Sequence, residues 1–392
     1  MNIHTVKKGE DLEKISYQYG ISPALLSSYN YLANGTDVIE GQELLALTPS
    51  RTYTSKEGDS IEGISLRFLI KKSELLSNNP GLSKNVPLKE GSVLSLKYTD
   101  SPFGIAATNG YFYNGCSMDK LKSVMPYLTY LTVASAIRDN NGLTMLFDDT
   151  DVVKYASDNG KIPILRVYDN TLSSIKDDEN SRDNLCDAII ALAKGQGYSG
   201  ISYAAFGYSN KDSEELLEFI VHFRKKLIGQ DMLLFWEIDE SSPAKIPDYA
   251  DGAVMSYDKI ALGKIPSFSD GEISAFSKLS SEAESSKIFI DLPSLALYGS
   301  KYIGYMDAIQ LAYDKKAIIH TDTSAMVCYF EFIDDTGKTV KVIMPSLKNV
   351  KAKLNIVSEL GFLGISFDIM RVPIPYLSMF NANFKTAPYS YL

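Results

Sequence analysis

Carboxylates stand at the ends of several apolar runs in this chain. Glu237 and Asp239 close M-L-L-F-W-E-I-D (232–239), Asp258 closes G-A-V-M-S-Y-D (252–258), Asp291 lies in K-I-F-I-D-L-P (287–293), and Asp368 closes F-L-G-I-S-F-D (362–368). Two acids two residues apart on a strand share one face. Such a pair can act as general acid and base, or hold a cation. The same carboxylates can equally cap strands or pair with basic side chains such as Arg166 and Arg371. One run breaks the pattern. G-Y-S-G-I-S-Y-A-A-F-G (197–207) carries Ser199, Ser202, Ala204 and Phe206 and has no acid.

These residues need a scaffold that gathers strand ends. The further β-rich runs are I-A-A-T-N-G-Y-F (105–112), L-T-Y-L-T-V-A-S-A (128–136) and I-P-I-L-R-V-Y (162–168). Helical patterns separate most of them, as at 184–195 and 212–229. Eight near-continuous apolar strands alternating with helices over about 280 residues predict an α/β fold, a (β/α)8 TIM barrel from residue 103 to 392. Active sites of such barrels form at the C-terminal strand ends. The stretch Ile303–Pro345 is too long for a strand–helix link. It reads as a helix plus short strands around an Asp335-Thr336-Gly337 turn, a small α+β insertion at about 300–346 before the last strand.

The first hundred residues contain one unit used twice. H-T-V-K-K-G-E-D-L-E-K-I-S-Y-Q-Y-G (4–20) returns as Y-T-S-K-E-G-D-S-I-E-G-I-S-L-R-F-L (53–69), with Gly9, Ile15 and Asn30 each recurring 49 positions on as Gly58, Ile64 and Asn79. Leu12, Ile15 and Tyr19 recur at helical spacing, and Ser22-Pro23 opens a second helix. E-G-Q-E-L-L-A-L (40–47) and E-G-S-V-L-S-L (90–96) close the units with a turn and a strand. Each unit is therefore expected to be a small βααβ domain, over 1–49 and 50–99.

These units resemble LysM domains in their H-T-V-x-x-G opening, their N-Y-L segment and their E-G-Q-x-L ending. LysM domains bind N-acetylglucosamine backbones in peptidoglycan and chitin. The resemblance implies a groove between the first strand–helix loop and the loop after the second helix. That maps to Gly9, Glu10, Asp11, Asn30, Tyr31 and Ile39 in the first copy, and to Gly58, Asp59, Ser60, Asn79, Pro80 and Leu88 in the second. The second copy departs from the pattern, with Phe68-Leu69 in place of the final Tyr-Gly. Two weak sites on one chain gain by avidity on a polymeric glycan.

The barrel resembles family 18 glycoside hydrolases, in particular the LysM-bearing branch that degrades spore-cortex peptidoglycan. N-G-Y-F-Y (109–113), V-M-S-Y-D (254–258), A-I-Q-L-A (308–312) and G-F-L-G-I-S-F (361–367) carry the likeness. In that family the fourth strand bears three aspartates and the catalytic glutamate, and the substrate's own acetamido group is the nucleophile. The resemblance places these four positions at Ser199, Ser202, Ala204 and Phe206. It implies Tyr257 and Asp258 as surviving sugar contacts, and Phe367 in place of a tryptophan that floors the sugar. Glu237 and Asp239 are the candidate substitutes for the lost acids. The expectation is a pseudo-glycosidase that binds peptidoglycan or a similar N-acetylglucosamine glycan. The alternatives are an active N-acetylglucosaminidase with relocated carboxylates, and a structural spore or envelope protein whose barrel docks other proteins.

Composition narrows the partners. A net charge of −9 argues against nucleic acid, and no apolar run reaches transmembrane length. Cys116, Cys186 and Cys328 are odd in number and far apart, and His4, His222 and His320 are scattered, so neither a disulfide framework, a metal site nor a cofactor is expected. The opening Met-Asn-Ile-His-Thr-Val is too polar for a conventional signal peptide. The expected location is the spore or cell wall, reached without such a signal, and otherwise the cytoplasm. Spore or envelope proteins are the further partners expected.

Overall fold

The computed structural model describes residues 1–30, 32, 38–82, 87–98, 103–171, 178–205, 213–239, 242–256 and 267–388. The first small domain pairs β1 (Asn2–Thr5) antiparallel with β2 (Glu43–Ala46) and packs helices Leu12–Tyr19 and Pro23–Asn30 on them. The second repeats this with β3 (Arg51–Thr54), β4 (Val93–Lys97) and helices Ile61–Phe68 and Lys72–Ser77. The apolar positions at helical spacing make each core: Leu12, Ile15 and Leu26 in one, Ile61, Ile64 and Leu75 in the other. The equivalent asparagines tie helix to strand in both. Asn30 Nδ2 donates to the Leu26 and Leu45 carbonyls and its Oδ1 accepts from Leu45 N; Asn79 does the same with Leu75 and Ser95.

The barrel follows. Its strands are β5 (Ile105–Tyr113), β6 (Tyr130–Asp139), β8 (Ile162–Asp169), β9 (Gly200–Ala204), β10 (Leu233–Ile238), β11 (Gly252–Met255), β12 (Ile288–Asp291) and β18 (Gly364–Asp368). All eight run parallel, and β18 returns to β5 to close the ring. β7 (Gly142–Met145) forms a hairpin with β6, and β19 (Lys385–Thr386) adds to the start of β5. Ala107, Ile164, Phe235, Val254 and Phe289 fill the interior, while the alternate residues meet the outer helices. No helix among the described residues is long and apolar enough to cross a membrane.

The insertion is a five-stranded antiparallel sheet of β13 (Leu295–Tyr298), β14 (Lys301–Gly304), β15 (His320–Asp322), β16 (Val327–Ile333) and β17 (Thr339–Pro345), with helix Tyr305–Asp314 on one face. It begins slightly before the expected 300 because β13 pairs with β17 as well as with its hairpin partner.

The three parts share packed cores. Leu25, Tyr29, Leu45, Leu47 and Tyr98 of the small domains join the barrel's outer core. Ile39 is buried with Ala308, Ile309 and Ile319 of the insertion. The Ile319 amide donates to the Glu40 carbonyl at 3.0 Å. At Gly41 (φ +86) an added Cβ would lie 1.7 Å from the Ile319 oxygen, so only glycine permits this approach. Glu43 accepts a 2.7 Å bond from the Leu347 amide at the start of helix Leu347–Glu359, where an anion meets the positive helix end.

Candidate functional site

Two regions were expected to carry function, the turns of the small domains and the barrel mouth. In the first turn Glu10 Oε2 accepts from the Lys7 amide (2.8 Å) and lies 2.7 Å from His4 Nε2, which holds its carboxyl below the usual range, the Lys7 bond most of all. In the second, Asp59 Oδ2 accepts from the Tyr53 hydroxyl (2.6 Å) and the Lys56 amide (2.8 Å), in that order the causes of its lowered pKa. Asp11 and Ser60 cap the next helices through Lys14 N and Gly63 N. Gly9 (φ +78) and Gly58 (φ +79) face open space, with nothing within 4 Å of an added Cβ.

The other groove positions are placed differently. Asn30 and Asn79 are buried and spend their amides on the internal bonds described above. Pro80 is buried, and Leu88 packs against the second domain's own core. Ile39 is only 8% exposed and belongs to the insertion core, so its side chain is not presented to a sugar. Tyr31 lies outside the described residues. Replacing Asn30 with alanine is therefore expected to lower stability by about 2 kcal/mol through orphaned Leu45 groups, seen as a shift in the urea unfolding midpoint.

At the barrel mouth, Ile201 and Tyr203 point outward to the helix Ser213–Ile228. Ser202 and Ala204 therefore face the interior, both fully buried. Ser199 precedes the strand at its N-terminal end, its amide donating to the Pro163 carbonyl. Phe206, Tyr257 and Asp258 lie outside the described residues. β8 and β10 flank β9, with Arg166 and Phe235 beside Ser202. Glu237, two residues beyond Phe235, then stands level with Ala204. Arg166 Nε and Nη2 donate to the two Glu237 oxygens at 2.5 and 2.7 Å. This bidentate pair crosses β9, and the methyl of Ala204 leaves it room. Burial works against the Arg166 charge, but the Glu237 carboxylate more than offsets it and holds the guanidinium above its ordinary range. Burial, then the Glu237 charge, pushes the Tyr111 phenol well up and keeps it protonated.

The remaining strand-end acids are also engaged. Asp239 Oδ1 accepts from Ser242 Oγ at 3.1 Å. Asp368 accepts from the Tyr113 hydroxyl and, at 2.7 Å, from Arg371 Nη1. Asp291, half-buried, adds negative charge near Tyr111. Phe367 corrects its expected role. Ser366 and Asp368 face inward, so alternation turns Phe367 outward into the helix-covered core, where it is fully buried and cannot floor a sugar. Among the described residues no group of three or more His, Cys, Asp or Glu could hold a metal ion.

Sequence reasoning offered Arg166 and Arg371 as partners for the strand-end carboxylates, and the structure pairs them with Glu237 and Asp368, an assignment the sequence reading did not make. The signal was present: an arginine and a glutamate in the flanking strands, both two residues from the C-terminal ends of their runs. It also missed Glu43, whose burial comes from helix Leu347–Glu359, some 300 residues away.

The LysM domain model matches residues 4–46 and 53–97. YdhD of Bacillus subtilis, named as a sporulation-specific glycosylase, is 23% identical over 397 residues, spanning 92% of this chain and 93% of that protein. The crystal structure of the Bacillus cereus spore cortex-lytic enzyme SleL superposes with a TM-score of 0.78 at 19% identity over 99% of both chains. A chitinase from Chromobacterium violaceum matches with a TM-score of 0.64 at 15% identity, over 71% of this chain and 98% of its own. The chain thus carries two LysM domains ahead of a TIM barrel with the chitinase-like fold of the cortex-lytic SleL structures.

Proposed function

We propose that this protein binds N-acetylglucosamine-containing wall glycan, peptidoglycan above all, and that its barrel does not cleave it. The observation that carries this reading is the Arg166–Glu237 ion pair seated across Ala204. A general acid must give up a proton to the leaving oxygen. Glu237 instead has both oxygens engaged by the Arg166 guanidinium. The inward side chains of β9 that are described, Ser202 and Ala204, offer no acid. The wall as the site of action is supported by the LysM pair and by the sporulation and cortex-lytic names of the similar proteins.

Binding is testable in the full chain, because the LysM domains share their core with the barrel. Asparagine tolerates positive φ, and a side chain at position 9 or 58 enters open space. The double variant Gly9→Asn/Gly58→Asn should therefore fold and obstruct both turns. Co-sedimentation with purified peptidoglycan is expected for the wild-type chain and to weaken by about tenfold in the double variant, since losing two coupled sites removes avidity. A wild-type chain that stays in the supernatant at low salt would overturn the binding reading.

A further inference from the structure

We propose that a cleft between the first LysM domain and the barrel binds the short, carboxylate-ended peptide that peptidoglycan carries, a subsite that rests on the wall-glycan reading above. The cleft encloses ≈ 380 Å³ and is lined by Asn2, Ile3, Lys348, Lys351, Ala352 and Asn355. That volume is within the range of small-ligand sites. One wall is β1, the other the helix Leu347–Glu359.

Its chemistry selects an acylated, anionic chain. No carboxylate lines the cleft, although the protein carries a net charge of −9. Lys348 is neutralised by Glu43 at 3.3 Å, whereas Lys351 has no ion-pair partner among the described residues. The amides of Asn2 and Asn355 likewise have no internal hydrogen bond among the described residues. Two amides can each donate to and accept from a peptide bond, the lysine can take a terminal carboxylate, and Ile3 and Ala352 suit small aliphatic side chains.

Its position fits the same ligand. β1 leads from Asn2 to the turn of Lys7–Glu10, roughly 17 Å at the rise of an extended strand. A lactyl-linked tetrapeptide in extended form reaches about the same distance. Glycan at the Gly9 turn would thus lay its peptide along β1 toward Lys351. The Glu43 bond to Leu347 N keeps the two walls in register.

The test compares three ligands on the full chain by calorimetry: a disaccharide-tetrapeptide muropeptide, a peptide-free N-acetylglucosamine oligomer, and the free tetrapeptide. The muropeptide is expected to bind roughly three- to tenfold more tightly than the peptide-free sugar, with the advantage shrinking as salt is raised. Lys351→Glu, a half-exposed helix position, should remove that advantage while leaving the peptide-free sugar unchanged. Asn355→Leu should reduce it without altering charge. Equal affinity for the two sugars, or an advantage that survives Lys351→Glu, would overturn the proposal and leave the wall-glycan reading standing. Binding of neither sugar would sink both. Competition by glycerol-phosphate polymer and not by the tetrapeptide would reassign the cleft and also overturn the proposal.

Discussion

Replacing Arg166 with methionine is expected to lower the unfolding free energy by about 3 kcal/mol. Removing one partner of a buried ion pair leaves the other charge desolvated and unpaired, at roughly 3–5 kcal/mol. Arg166 keeps 23% of its side chain exposed and Glu237 11%, so the lower end of that range applies. Glu237→Gln should cost a similar amount, because a neutral amide cannot match both guanidinium bonds. The double variant Arg166→Met/Glu237→Leu should recover most of the loss, since apolar side chains of similar volume replace a buried pair at little cost. Equilibrium urea unfolding of the two singles and the double gives the coupling. Single-variant losses below ~1 kcal/mol would mean that the mouth is open to water and that the pair does not seal it.

The barrel was legible because both faces of its strands are buried, which turns most into near-continuous apolar runs such as Gly252–Met255. The LysM pair was legible through repetition, since Gly9 and Gly58 hold the same positive φ in both copies. What eluded the sequence is contact between distant segments. Ile39 reads as a loop residue over a groove, yet the insertion's helix and β15 approach cover it. Asn30 and Asn79 read as ligand contacts, yet each bonds a strand 15 or 16 residues on. Phe367 is a different case. The inward direction of Asp368 already dictated, by strand alternation, that its neighbour faces the helices. A family correspondence taken without that parity put the ring on the wrong side of the wall.

No reducing ends above a heat-inactivated blank are expected when the purified chain is incubated with cortex muropeptides or N-acetylglucosamine oligomers. Loss of a general acid alone removes ~10²–10⁴ in rate, and loss of the group that orients the acetamide adds to that. On the binding-only reading, the nearby carboxylates are not expected to supply that acid. An acid at position 204 would stand directly beside Glu237, where two like charges in a dry site resist sharing ionisation. With Ala204 that conflict is absent, and Arg166 is free to neutralise Glu237. Small residue, arginine and glutamate thus form one consistent arrangement. Asp239 accepts from Ser242. Measured release that Glu237→Gln or Asp239→Asn abolished, in variants still folded at the assay temperature, would replace the binding-only reading with relocated catalysis. Release unaffected by either would point instead to an acid outside the described residues, such as Asp258. The ion pair makes the first outcome the least expected, because both Glu237 oxygens are already engaged by the Arg166 guanidinium.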